Sequence, residues 1–157
     1  MRRKDREVTD LQEIAKIIDK CEVIRLGLAD GNVPYIVPLN FGYEVVDDRV
    51  AFVFHSALEG RKIDMMKKNP NVCFELDCSL TILKGAVACN WGAEFESVVG
   101  YGEIKFIEND DEKKTALNLL MARYGFEGPP EYMQSALAKT AVYKLYVSEV
   151  TGKRRML

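Results

Sequence analysis

The chain has 157 residues, 48% hydrophobic and 29% charged, with a formal net charge of -2 and an isoelectric point near 5.6. That length suits one domain with one core. The near-neutral balance offers no general basic surface for nucleic acid, so any positive site has to be local. No apolar leader follows MRRKDREVTD, and no uncharged run reaches the roughly 18 residues of a membrane span. The expectation is a single cytoplasmic domain over 1–157 that meets neither membrane nor nucleic acid.

The first predicted element is a helix over 10–20. Thr9 and Gln12 make a capping box, and Leu11, Ile14, Ile17 and Ile18 share one helical face. From Cys21 to Phe54 the pattern changes to short β-rich runs, CEVIRLGLA, PYIVPLNF, YEVV and VAFVF, separated by turns at Asp30-Gly31-Asn32 and Asp47-Asp48-Arg49. This reads as an antiparallel meander. Pro34 and Pro38 put the second run at a sheet edge, or break it near Pro38, because proline cannot donate to a ladder.

A helix over 58–68 follows, then NPNVCFELDC, SLTILKGAVACN and FESVVGYGEIKFIE, the last with Gly100 and Gly102 marking curvature or a close neighbour. Asn109 caps a helix over 110–124 that carries Asp110, Asp111 and Glu112 in its first turn and stops at Gly125. Beyond Gly128-Pro129-Pro130, a short helical piece, EYMQSALAK, leads to a last strand, TAVYKLYVSEV. About seven strands, mostly joined by turns, favour an antiparallel barrel with flanking helices over a parallel doubly wound sheet.

Cys21, Cys73, Cys78 and Cys89 form no CxxC pair, and one histidine, His55, leaves too few ligands for a zinc site. Reduced, mostly buried thiols and no metal are expected. The stretch FVFHSALEGRKIDMMKKNPNV, residues 52–72, is more informative. Lys67 and Lys68 close its helix, where the dipole favours cations, but Arg61 and Lys62 open it, where a cation is disfavoured by about 0.3 to 1 kcal/mol. Two readings fit. The pair is solvated surface with Glu59 beside it, or it completes a phosphate cradle with the Ser56 hydroxyl, the amides of Ala57 to Gly60 and the open backbone of Gly60.

The succession VPLNFGYE, VAFVFHSALEGRKIDMMKKNPNVCFELD and ESVVGYGEI resembles the pyridoxamine 5'-phosphate oxidase-like FMN-binding split barrels, and among them the nitroimidazole-resistance flavoproteins. In those proteins a P-L-N/x-F/Y segment precedes H-x-A-x-x-G-x-K at a strand-to-helix junction, followed by N-P with a strand and later by S-V-x-x-x-G. The resemblance covers nearly the whole chain. It implies a mainly β fold, an antiparallel split barrel with flanking helices, and FMN held between the two subunits of a homodimer.

Residue by residue, the resemblance puts the FMN 5′-phosphate on Ser56, Arg61 and Lys62 beside Gly60. Val37, Pro38, Leu39 and Asn40 would follow the isoalloxazine ring, and His55 and Ala57 would lie near the ring and ribityl chain. Trp91, Glu96, Ser97 and Val98 would reach in from the other subunit. His55 has three readings: a structural residue, a flavin-lining group, or a catalytic proton donor. Trp91 is a core or dimer-interface residue or a flavin cover, and Lys153, Arg154 and Arg155 form a solvated tail or approach the phosphate.

The implied activity is an FMN-dependent oxidoreductase passing electrons from NAD(P)H to a small acceptor such as a nitroaromatic. No Ser-His-Asp or paired-carboxylate pattern is needed, because the flavin carries the chemistry. The alternative is a flavin- or haem-binding split-barrel protein without efficient turnover, with His55 as its axial ligand. Vitamin B6 phosphate oxidation is disfavoured, since the tail GKRRML lacks the expected arginine-rich motif.

Overall fold

Two tight turns set the architecture. The computed structural model describes residues 2–156; Met1 and Leu157 lie outside the described residues. At Gly31, with φ of 59°, the chain reverses between β2 (Ile24–Asp30) and β3 (Val33–Leu39). At Asp47 and Asp48, with φ of 50° and 56°, it reverses between β4 (Gly42–Val46) and β5 (Arg49–Ala57). Two successive left-handed residues match the right-handed twist of the flanking strands, and aspartate is among the few side chains that tolerate them.

Eight strands, all antiparallel to their neighbours, form one sheet in the order β3-β2-β6-β7-β8-β5-β4, with the two-residue β1 (Glu7–Val8) on the end of β8. The long strands are β6 (Asn71–Leu83), β7 (Gly92–Ile107) and β8 (Thr140–Arg155). The edges of the sheet are β3 and β4, consecutive in the chain and joined by only Asn40 and Phe41. The sheet therefore coils far enough to bring its edges near one another without closing. This is the split antiparallel barrel that the sequence leads one to expect.

Alternation along the strands separates an inner from an outer face. Leu26, Phe52, Phe54, Phe74, Tyr143 and Leu145 are wholly buried on the inner one. Helix α1 (Leu11–Lys20) plugs that face with Ile14, Ile17 and Ile18, each worth about 1.5 to 3 kcal/mol in burial. Its cap is Asp10, whose carboxylate accepts from the Glu13 amide at 3.0 Å, and not the expected Thr9. On the outer face α3 (Asp110–Arg123) and the short α4 (Gln134–Leu137) cover Val53 and Val142, making a second, smaller core with Ala116, Leu117 and Leu137.

Other sequence expectations need correction. Lys153, Arg154 and Arg155 are not a tail, since β8 runs to Arg155 and pairs with β7 along this length. All four thiols are free, yet only Cys21 is buried; Cys73 points outward from β6, and Cys89 lies exposed in the loop before β7. The EYMQSALAK piece is helical only over Gln134–Leu137. The glycines of β7 do mark a close approach. A Cβ on Gly100 would collide with Phe74 and the Glu149 carbonyl, where the β7–β8 register shifts at Tyr101 and Gly102. Among the described residues no helix is long and apolar enough to cross a membrane.

Candidate functional site

The split between the sheet's edges leaves backbone groups exposed. Because the β2–β3 turn has two residues, Asp30 and Val33 form a hydrogen-bonded pair, and pairs alternate from there. Pro34 and Pro38 thus fall in non-hydrogen-bonded positions with their ring nitrogens turned to the free edge. That edge presents the carbonyls of Pro34, Ile36 and Pro38. By the same alternation from the Asp47-Asp48 turn, His55 and Ala57 direct their N–H and C=O groups toward the β4 side, where pairing stops at Gly42–Val53. Two unpaired strand edges, one from β3 and one from the end of β5, therefore border the split.

Helix α2 (Arg61–Lys68) begins beside this opening. Gly60 precedes it with φ of 128°, a conformation closed to most side chains, and no side chain caps the first turn. The Arg61 guanidinium lies 4.6 Å over the Tyr35 ring, tying the helix start to the edge strand β3. Among the described residues neither Arg61 nor Lys62 forms an ion pair. The acid that senses Arg61 is Asp30, whose carboxyl is held below its ordinary value first by the Lys68 ammonium at 2.8 Å and to a lesser degree by Arg61. Two cations thus sit where the helix dipole opposes them, with Asp64 in the same turn and Asp30 at longer range as the nearby acids.

The end of β5 supplies the rest of the site. His55 is exposed and has no hydrogen-bond partner among the described residues, but desolvation pushes its imidazole below the ordinary value. It is therefore neutral at physiological pH, with one ring nitrogen donating and one accepting. Ser56 faces inward, and its hydroxyl donates to the Ala57 carbonyl at 3.0 Å. The crossing at Asn40–Phe41 is held from behind by α3. The Phe41 amide donates to the Tyr124 hydroxyl at 3.3 Å, that hydroxyl donates to the Glu22 carbonyl at 2.6 Å, and Arg123 lies 4.1 Å over the Phe41 ring.

The structure places His55, Ser56, Ala57, Gly60, Arg61 and Lys62 along the junction from β5 to α2, sets Arg61 over Tyr35 on β3, the strand that carries Val37, Pro38 and Leu39, and puts Asn40 at the crossing from β3 to β4. It does not bring the other four expected residues there on the same chain. Trp91 is exposed, with its indole N–H on the Gly85 carbonyl at 3.0 Å, and Ser97 lies on the outer face of β7. Val98 is core. Glu96 is 1% exposed and takes hydrogen bonds from Lys20 at 2.5 Å and Arg154 at 2.6 Å, so its side chain is engaged within its own subunit. Sequence reasoning missed Tyr35, Tyr124 and Tyr143 as parts of this region; each reads as an ordinary strand or helix residue until the sheet is coiled.

Burial pushes the Glu96 carboxyl up, but the bonds from Lys20 and Arg154 outweigh it and hold it below its ordinary value. A depressed folded-state value means that this stabilisation is present above the unfolded carboxylate pKa and is lost as pH falls through the folded one. Glu96→Gln is expected to flatten the acid limb of a stability-versus-pH curve below about pH 4.5, measured by urea unfolding. An unchanged acid limb would show the cluster to be energetically silent.

On the outer face an open groove of about 1330 Å³ runs across the strands, bordered by Ile36, Val46, Tyr101 and Tyr146, all of them exposed. A family model described as pyridoxamine 5'-phosphate oxidase matches residues 10–154. The chain belongs to that family. Among solved structures, a candidate 5-nitroimidazole antibiotic resistance protein from Bacteroides thetaiotaomicron is 33% identical, with a TM-score of 0.83 over 94% of this chain and 86% of that one. The flavocytochrome of Azotobacter vinelandii (20% identity, TM-score 0.81, 100% of this chain and 72% of that one) shares the family's fold. So does an FAD- and haem-binding protein of Mycobacterium smegmatis (16%, 0.82, 97% and 74%). No curated protein sequence matches at a significant level.

Proposed function

We propose that this protein binds FMN at the split between β3 and β5 and, as a homodimer, passes electrons from NAD(P)H to a small acceptor. The observation that carries the reading is the start of α2, where two cations that form no ion pair among the described residues, an uncapped helix and a left-handed glycine follow the end of β5, with Arg61 over Tyr35 on the edge strand β3. These residues fit a phosphate-bearing flavin: anion donors at one end of the opening, and free backbone acceptors along β3 for the polar edge of a flat ring. The 33% identical structure, whose description concerns 5-nitroimidazole resistance, favours a nitroaromatic acceptor over a vitamin B6 phosphate.

Bound FMN would supply the redox chemistry itself, taking hydride from a nicotinamide and handing electrons on. The chain's own tasks are then binding, orientation and proton placement. Ser56, Arg61 and Lys62 hold the phosphate, and Gly60 lets it approach the backbone. The Pro38 carbonyl and Asn40 meet the ring's polar edge, while the neutral His55 lines it. Ile36, Val46, Tyr101 and Tyr146 form the apolar surface against which a second copy packs, and Trp91 and Ser97 face outward where a partner's site could be reached.

Mass spectrometry and absorption of the cofactor released from purified protein, with light scattering on the intact sample, test this reading. FMN and a dimer are expected. A Soret band would favour the haem-binding alternative with His55 as ligand, and a monomer retaining FMN would remove the shared site. His55→Gln is expected to change flavin reduction by NAD(P)H only about two- to fivefold, since a lining group can be replaced by one of similar reach. Stopped-flow single turnovers, followed by reoxidation with a nitroaromatic, check it. A loss of roughly 100-fold together with a vanished pH-dependent phase would make His55 a proton donor.

A further inference from the structure

Arg3, Arg25, Arg123 and Arg154 donate guanidinium N–H groups to carboxylates or backbone carbonyls. Arg61 differs. Its guanidinium lies 4.6 Å over the Tyr35 ring, and among the described residues no oxygen accepts from it. Contact with an aromatic face engages the cation and leaves the N–H fork unspent. Arg123 shows what a ring-bound arginine does when acceptors are in reach: it lies 4.1 Å over Phe41 and still donates to the carbonyls of Ile18 and Cys21. Acids are also near Arg61, yet the Asp30 carboxylate is taken by Lys68 at 2.8 Å, and Asp64, in the first turn of α2, accepts nothing from it. The Tyr35 ring is itself anchored, because β3 turns it inward against the core and pairs it in register with the buried Leu28.

We infer that Tyr35 is a positioning residue, holding the Arg61 guanidinium at the start of α2 for a phosphate group that takes its unspent N–H donors. This deepens the reading given under Proposed function and rests on it. An unsupported arginine at this exposed position would sample many rotamers and be repelled by the helix dipole, so much of the gain from a phosphate bond would go into ordering the side chain. Over the ring, that ordering is already done. A planar fork with free donors suits bidentate recognition of a phosphate, and the ring that fixes it belongs to the strand that also carries Val37, Pro38 and Leu39. One strand thereby sets both the phosphate grip and the segment assigned to the flavin ring.

The test compares FMN with riboflavin, which has the same ring and no phosphate, by fluorescence titration of Tyr35→Phe, Tyr35→Leu and Tyr35→Thr, each also in an Arg61→Ala background. Tyr35→Phe keeps the aromatic face and should bind FMN within about twofold of wild type. Tyr35→Leu and Tyr35→Thr are expected to weaken FMN about three- to tenfold and to leave riboflavin unchanged. In the Arg61→Ala background they should have no further effect, because Tyr35 acts through that side chain. Unaltered FMN binding in the leucine and threonine variants, an equal loss in Tyr35→Phe, a loss shared by riboflavin, or a loss that persists without Arg61 would each overturn the role of Tyr35. If both ring-less variants fail to fold, Tyr35 serves the core alone and the inference is likewise overturned. If the wild type itself binds FMN no better than riboflavin, the phosphate reading fails first and this inference falls with it.

Discussion

Replacing Arg61 or Lys62 by alanine is expected to weaken FMN binding roughly 10- to 100-fold each, from the loss of a charge-assisted hydrogen bond worth about 1.5 to 3 kcal/mol. The double variant should lose FMN altogether at micromolar concentrations, and neither change should lower the melting temperature of the free protein. Both side chains lie in unfavourable positions relative to the helix dipole and form no ion pair among the described residues. Removing them therefore relieves the free protein while depriving the ligand. Arg61→Lys should recover only part of the loss, because lysine keeps the charge but not the planar stack on Tyr35. Isothermal titration with FMN and with riboflavin separates the outcomes. If both single variants bind FMN as tightly as wild type, the pair belongs to solvated surface and the cradle must lie elsewhere.

That expectation could be written from the sequence because the evidence for it is local. His55, Ser56, Gly60, Arg61 and Lys62 lie within one strand-to-helix junction, where capping and dipole rules operate over a single turn. The edge position of β3 was legible as one of two readings, since Pro34 and Pro38 allow an edge strand or a break near Pro38, and the sheet order gives the edge. What stayed hidden depends on pairing between distant segments. Arg154 reads as a solvated tail until β8 is seen to run along β7 and place it against Glu96 and Glu13. Glu96, in turn, reads as a free carboxylate near a cofactor until α1 delivers Lys20 to it. Tyr143 sits in a plainly alternating strand, and only the register with β5 shows that it pairs with Phe54. Thr9 lost the cap of α1 to Asp10, its neighbour, because an aspartate one residue later meets the same requirement with a charged acceptor.

Gly42→Ala is expected to lower the melting temperature by roughly 6 to 12 °C, although it adds a single methyl group in a strand where alanine is otherwise tolerated. A Cβ at Gly42 would lie 2.6 Å from the Leu120 amide nitrogen, 2.8 Å from the Leu119 carbonyl carbon and 2.9 Å from the Leu120 Cα, all backbone atoms of α3. A side chain could rotate away, but a helix backbone must move as a body. Overpacking of this kind costs about 1 to 3 kcal/mol, and the rigid neighbour puts this case near the upper end. For a chain of this size each kcal/mol moves the midpoint by about 2 to 4 °C. Gly27→Ala is the matched control: its Cβ would meet Cys73 at 3.6 Å, an ordinary contact, so it should melt at or slightly above wild type. The displacement should also reach the cofactor, because α3 holds the crossing between β3 and β4 through Tyr124 on the Phe41 amide and Arg123 on the Phe41 ring. Pushing α3 outward loosens Asn40 at the edge of the split, so FMN affinity should fall with stability in Gly42→Ala and not in Gly27→Ala. Equal melting temperatures for the two variants would mean that α3 does not seat on β4 as closely as this, and the link from helix to cofactor segment would be lost with it.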